Sequence, residues 1–159
     1  MFYAVFFITT SMVMFPIALL IWMLTYFIDP KKRLLHYFTQ LWASMYIRVN
    51  PLWRVNVERS QKVDRNQIYV IVSNHQSLFD IIVASVLFLP FKWVSKASIF
   101  KAPFIGWNMS LNNYIRIERG SKKSIVQMLS DCRKSVAEGT SVFLFPEGTR
   151  SETEEVKSF

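Results

Sequence analysis

From Met1 to Ile28 the chain carries no charged side chain, and the run FYAVFFITTSMVMFPIALLIWMLTYFI is apolar apart from a few Ser, Thr and Tyr. A straight helix of that length would extend about 40 Å, more than the roughly 30 Å hydrocarbon core of a bilayer, so the segment can span with tilt. Pro16 falls near its middle, where the ring removes a backbone donor and favours a kink, and a bent, re-entrant hairpin competes with the span. A cleaved signal fits poorly, because no Lys or Arg precedes the apolar run and no small-residue cleavage pattern comes after it. Lys31, Lys32 and Arg33 come next, and such a cationic flank puts the remainder of the chain on the cytoplasmic side.

Leu34 to Val49 has Leu34, Leu35, Phe38, Leu41, Trp42, Met45 and Tyr46 at helical spacing, with His36, Gln40 and Ser44 between them. That is an amphipathic helix, suited either to the headgroup plane or to packing on the core. Asn50-Pro51 ends it, since the residue before proline is pushed out of the helical region. The sequence therefore divides into a membrane anchor over residues 1–49 and a separate domain over residues 50–159.

In that domain, strands are expected at Leu52–Glu58, Ile68–Ser73, Phe91–Ser95, Tyr114–Glu118 and Ser141–Phe145, and helices at Ser77–Leu89 and Lys122–Glu138. Lys96 to Asn113 reads as a loop with a short helix. The alternation predicts an α/β fold: a mixed, partly parallel sheet flanked by helices, preceded by the hydrophobic membrane helix and the amphipathic interfacial helix. The chain stops in SETEEVKSF without a closing strand or helix, so a C-terminal part of the domain is expected beyond it.

A net charge of +8 raises the question of nucleic acid, but the chain has no Cys/His finger, aromatic-basic RNA motif or separate basic helix. No nucleic-acid partner is expected. Anionic membrane lipid explains the charge better, at roughly 1 kcal/mol per basic residue near the surface. The single cysteine, Cys132, cannot close an internal disulfide, and its helical setting makes it a packing residue.

After the buried strand IYVIVS come Asn74-His75-Gln76-Ser77-Leu78-Phe79-Asp80, at the kind of strand-to-helix junction where α/β proteins place their sites. Five positions along one helix set two side chains about 140° apart, so His75 and Asp80 meet only if His75 lies in the turn before the helix. In such a pair the aspartate fixes the tautomer, and the second ring nitrogen is left to take a proton from an alcohol. No serine nucleophile is needed if the substrate supplies the hydroxyl. The competing reading is local, because Ser77 and Asp80 also form a helix-capping pattern. Backbone N–H groups near the helix start after Gln76 are candidate oxyanion donors.

A second cluster, Phe145-Pro146-Glu147-Gly148-Thr149-Arg150-Ser151, comes after the last strand, and a third is Tyr114-Ile115-Arg116-Ile117-Glu118-Arg119-Gly120. Alternation sends Arg116 and Glu118 to one strand face, and Arg119 stands at the exit. Arginine suits phosphate because its planar fork donates two hydrogen bonds at once.

The segment NHQSLFD resembles the NHxxxxD block and FPEGTRS the FPEGTR block of the 1-acyl-glycerol-3-phosphate acyltransferase family, in the same order and separation. Lys96 and KAPFIGW are similar to the family's lysine and Pro-Phe-x-Gly-Trp region, and IERG to the block that usually reads FIDR. The resemblance covers roughly Val55 to Arg150 and implies that His75 is the general base and Asp80 its orienting partner. It further implies that Lys96, Arg119, Glu147, Gly148, Thr149 and Arg150 bind the glycerol phosphate. The expected partners are lysophosphatidic acid or a related glycerol phosphate, an acyl thioester of coenzyme A or acyl carrier protein, and membrane lipid. No resident cofactor or metal is expected. Glycerol-3-phosphate or another lysophospholipid is the alternative acceptor, while an anionic-lipid-binding adaptor and a thioesterase-like hydrolase are the alternative functions.

Overall fold

The structure is a computed structural model and describes residues 2–50, 52–58 and 63–146. Helix α1, Phe2–Thr25, is one continuous helix through Pro16, so the hairpin alternative is not the observed one. A chain reversal held by the Asp29 carboxylate, which accepts from the Leu34 N–H at 2.8 Å, leads into α2, Arg33–Arg48. The two helices run antiparallel. Thr10 and Phe7 near one end of α1 meet Tyr46 near the end of α2, while Lys32 lies over Trp22 and Tyr26 at the other.

The amphipathic reading of α2 holds, with an unexpected orientation. His36, Gln40 and Ser44 are buried together with Leu35 and Trp42, whereas Leu34 and Leu41 of the apolar stripe are 54% and 44% exposed. The polar stripe packs on the domain because it finds partners there. The Gln40 amide donates to the Leu89 carbonyl at 2.9 Å. His36 Nε2 lies 3.0 Å from the same carbonyl and 3.4 Å from the Phe91 nitrogen, and Nδ1 lies 2.7 Å from the Tyr114 hydroxyl oxygen. Burial pushes the His36 imidazole down to about 4, with the Leu89 bond opposing and the Lys92 charge assisting.

The domain holds β1 (Val70–Val72), α3 (Phe79–Ser85), β2 (Phe91–Lys96), a 3₁₀ turn (Ala97–Lys101), α4 (Ile105–Leu111), β3 (Ile115–Ile117), α5 (Lys122–Ala137) and β4 (Ser141–Leu144). The sheet order is β1-β4-β2-β3, and every pairing among the described residues is parallel. The expected strand at Leu52–Glu58 is absent: the residues alternate, but they find no ladder partner among the described residues and stay mostly exposed. Their anchor is Trp53, whose ring meets Phe79 edge-on at 4.7 Å.

Strand alternation sends Phe91 and Trp93 of β2 and Phe143 of β4 to one face, where they form the core with Phe100, Met109 and Tyr114. Helix α4 sits close to the 3₁₀ turn because Gly106 has no side chain, and a Cβ there would stand 2.4 Å from the Phe100 carbonyl oxygen. Cys132 is half-buried against Met128, and burial raises its thiol, as suits a packing residue.

The strand order sets the geography of the site. Because β4 lies between β1 and β2, the segment after β1 with His75 borders the segment after β4. Lys96 at the end of β2 and Arg119 just past β3 complete the same carboxyl edge. This edge is where open α/β sheets bind ligands.

Candidate active site

His75 precedes α3, and Asp80 lies in the first turn of that helix, as their meeting requires. His75 Nδ1 stands 2.9 Å from Asp80 Oδ2. The same oxygen accepts the Gln76 N–H at 2.7 Å and the Ser77 N–H at 2.8 Å. Ser77 Oγ in turn accepts the Phe79 N–H at 3.2 Å. The local reading and the chemical one are therefore satisfied together, since one carboxylate both caps the turn and holds the histidine. Burial pushes the Asp80 carboxyl upward, but the Ser77 and Gln76 N–H donors and His75 outweigh it and leave the group below its ordinary value.

This geometry narrows one expectation about the N–H groups at the start of α3. The N–H groups of Gln76 and Ser77 are engaged by Asp80 and are not spare donors for an oxyanion.

With Nδ1–H given to a carboxylate, His75 is held in the tautomer whose Nε2 has a lone pair. Among the described residues nothing hydrogen-bonds Nε2. The His75 side chain is only 10% exposed. Its ring stacks on Phe145 at 4.2 Å between centroids and 19° between planes. Phe145 is stacked in turn on Trp93 at 5.9 Å and 22°. The Phe143/Phe145 alternation places both rings on one face, but nothing in the sequence pairs Phe145 with His75.

Lys96 and Arg119 are exposed at the carboxyl edge. Glu147, Gly148, Thr149 and Arg150 lie outside the described residues. Arg116 is engaged elsewhere: its guanidinium covers the Phe100 ring at 4.6 Å and donates to Ser110 Oγ at 3.0 Å.

Two cavities flank the sheet. An apolar one of about 400 Å³ is walled by Phe7, Trp42 and Tyr46 from the N-terminal helices and by Phe79, Ile82 and Trp93 from the domain. Its helical wall is fixed by the Tyr46 hydroxyl, which bonds Thr10 at 2.9 Å and accepts the Trp42 Nε1–H at 2.9 Å. The larger, about 1070 Å³, runs along the polar flank of α5 and contains Lys92, whose burial lowers its ammonium to about 8. Neither dyad side chain lines either cavity; the apolar one has the nearer neighbours, since Phe79 precedes Asp80 in the chain and Trp93 backs the ring stacked on His75.

The profile of the acyltransferase family matches residues 54–159. The chain belongs to that family. It is 40% identical over 133 residues to a chloroplastic 1-acyl-sn-glycerol-3-phosphate acyltransferase of Arabidopsis thaliana, covering 82% of this chain and 37% of that protein. Identity to a 1-acyl-sn-glycerol-3-phosphate acyltransferase of Chlamydomonas reinhardtii is 38% over 146 residues, 89% of this chain and 41% of the relative. The chain thus spans about two fifths of the length of these relatives. The crystal structure of the 1-acyl-sn-glycerophosphate acyltransferase PlsC from Thermotoga maritima superimposes with a TM-score of 0.63 at 21% identity, over 96% of this chain and 65% of that one. That likeness shows the α/β fold with its N-terminal apolar helix.

Proposed function

We propose that this acyltransferase moves a fatty acyl group from the thioester of acyl-CoA or acyl-ACP to the free hydroxyl of lysophosphatidic acid, forming phosphatidic acid. The observation that carries the reading is the His75–Asp80 dyad, whose Nδ1 is held at 2.9 Å while Nε2 stays available. The relatives named as acyltransferases of 1-acyl-sn-glycerol-3-phosphate support that acceptor over glycerol-3-phosphate.

In this reaction His75 Nε2 takes the proton from the acceptor hydroxyl as its oxygen bonds to the thioester carbon. The tetrahedral intermediate collapses with cleavage of the C–S bond, and the proton on Nε2 passes to the departing sulfur. Asp80 stabilises the imidazolium between these steps. No resident metal or other cofactor is part of the scheme. Lys96 and Arg119 stand on the edge where an anionic headgroup would lie beside the dyad. Glu147, Gly148, Thr149 and Arg150 belong to the same proposed headgroup site through their sequence block. The cavity between Trp42, Tyr46, Phe79 and Ile82 is the place for an acyl chain.

The N-terminal helices serve as the membrane seat. Helix α1 is long and apolar enough to cross a bilayer. Yet Phe15, near its middle, packs its ring on Phe104 and Trp107 beside α4. A transverse α1 would carry α4 and the exposed Lys101 toward the centre of the hydrocarbon, at a cost of several kcal/mol. The exposed stripes of α1 and α2 instead lie along the cytoplasmic leaflet, with the exposed Arg33 at the headgroups.

The test is vesicle-reconstituted protein supplied with a labelled acyl thioester and either lysophosphatidic acid or glycerol-3-phosphate. Phosphatidic acid is the expected product. Lysophosphatidic acid made from glycerol-3-phosphate would move the acceptor, and free fatty acid without an acceptor would indicate a hydrolase.

A further inference from the structure

We infer that Phe145 is a positioning residue for the proposed acyl transfer, fixing the plane of the His75 imidazole so that Nε2 keeps one direction. The Cβ–Cγ bond and the hydrogen bond at Nδ1 hold the ring at two points and leave it a tilt about the line through them. A further constraint is needed to set the plane, and the Phe145 ring supplies it by stacking at 4.2 Å and 19°.

The ring is itself restrained. It stacks on Trp93 at 22° and meets Phe143 edge-on at 5.5 Å, and Phe143 is tilted against Trp93 at 4.4 Å. Trp93 and Phe143 are 5% and 2% exposed. The chain of support therefore runs from the packed core of β2 and β4 out to the histidine. Asp80 reaches His75 from α3 and Phe145 reaches it from β4, so two independent elements set one ring. Residue 145 can do this because it falls one position past β4 and keeps the face of Phe143, beside the end of β1.

The inference rests on His75 being the base, and the experiment separates the two. In the full protein in vesicles, Phe145→Leu keeps an apolar side chain and loses the ring face, whereas Phe145→Tyr keeps the ring. Phe145→Leu is expected to lower kcat roughly tenfold or more with little change in KM for lysophosphatidic acid, because small misorientation of a reacting group is costly. Phe145→Tyr is expected to retain most of kcat. In an Asp80→Asn background the Leu substitution should cost clearly less than in the unmutated protein, since the ring is already loosened. The upfield ring-current shift of the His75 Hε1 proton should be present in the unmutated protein and lost in Phe145→Leu, with or without turnover.

Equal kcat in Phe145→Leu and the unmutated protein would overturn the inference. So would equal losses in the Leu and Tyr variants, or strictly additive losses with Asp80→Asn, which describe a residue that only holds the fold. If the unmutated protein shows the ring-current shift but forms no phosphatidic acid, the stack stands and the acyl-transfer reading fails.

Discussion

One oxygen of Asp80, Oδ2, accepts His75 Nδ1 at 2.9 Å together with the Gln76 and Ser77 N–H groups. One atom both caps the turn and holds His75, so the turn cannot move without moving the proposed base. Replacing Asp80 by Asn keeps an acceptor oxygen but removes the charge that stabilises the imidazolium. We expect kcat to fall about 10²- to 10⁴-fold, with stability loss of about 1 kcal/mol. Steady-state kinetics alongside chemical denaturation measures both, and an unfolded Asp80→Asn protein would mean that the turn depends on the charge for folding.

Acid should destabilise the fold through His36. Its folded value is held down to about 4 against an ordinary 6.5, so the unfolded chain binds the proton first. The stability supplied by the neutral, buried ring is present above about pH 6.5 and is lost as pH falls toward 4. The full effect of one such group is about 3 kcal/mol. Denaturant midpoints measured from pH 7.5 to 4.5 should decline, and His36→Gln should flatten that part of the profile.

Gly106 is expected to tolerate no side chain. An added Cβ would stand 2.4 Å from the Phe100 carbonyl oxygen and 2.5 Å from that of Ile99, both backbone atoms. Gly106→Ala should destabilise by about 1–3 kcal/mol as α4 is pushed off the 3₁₀ turn. Urea unfolding of the variant is the direct measurement.

The exposure of part of the apolar stripe of α2 predicts a membrane phenotype without a folding one. Leu34 and Leu41 are exposed, and changing both to Gln should weaken sedimentation with anionic vesicles several-fold while leaving the unfolding midpoint within about 0.5 kcal/mol. Gln40→Leu should do the reverse. Its amide donates to Leu89 in the interior, so the change falls on stability.

Much of this architecture was legible in the sequence, for physical reasons that also mark the gaps. Periodicity located α2 and α5 within a residue or so, because helical spacing over four turns is a strong signal. It could not say which residues of α2 face inward, because the buried face takes Leu35 and Trp42 from the apolar stripe and His36, Gln40 and Ser44 from between them. Leu52–Glu58 alternates like a strand, but alternation records a tendency and a strand also needs a neighbour. The His75–Asp80 spacing announced a contact if the helix began late, and α3 begins at Phe79. Commitment of the Gln76 and Ser77 N–H groups to Asp80 was invisible, because sequence shows donors and not what they already hold. The stack of Phe145 on His75 joins residues seventy positions apart, and no local pattern predicts such a pairing.

The most direct test of His75 as the base is acyl transfer by the vesicle-reconstituted protein and its His75→Ala variant, given labelled acyl thioester and lysophosphatidic acid. Phosphatidic acid is expected from the unmutated protein, with a loss of at least about 10²-fold in the variant at unchanged vesicle binding. Equal product from both proteins would contradict that role.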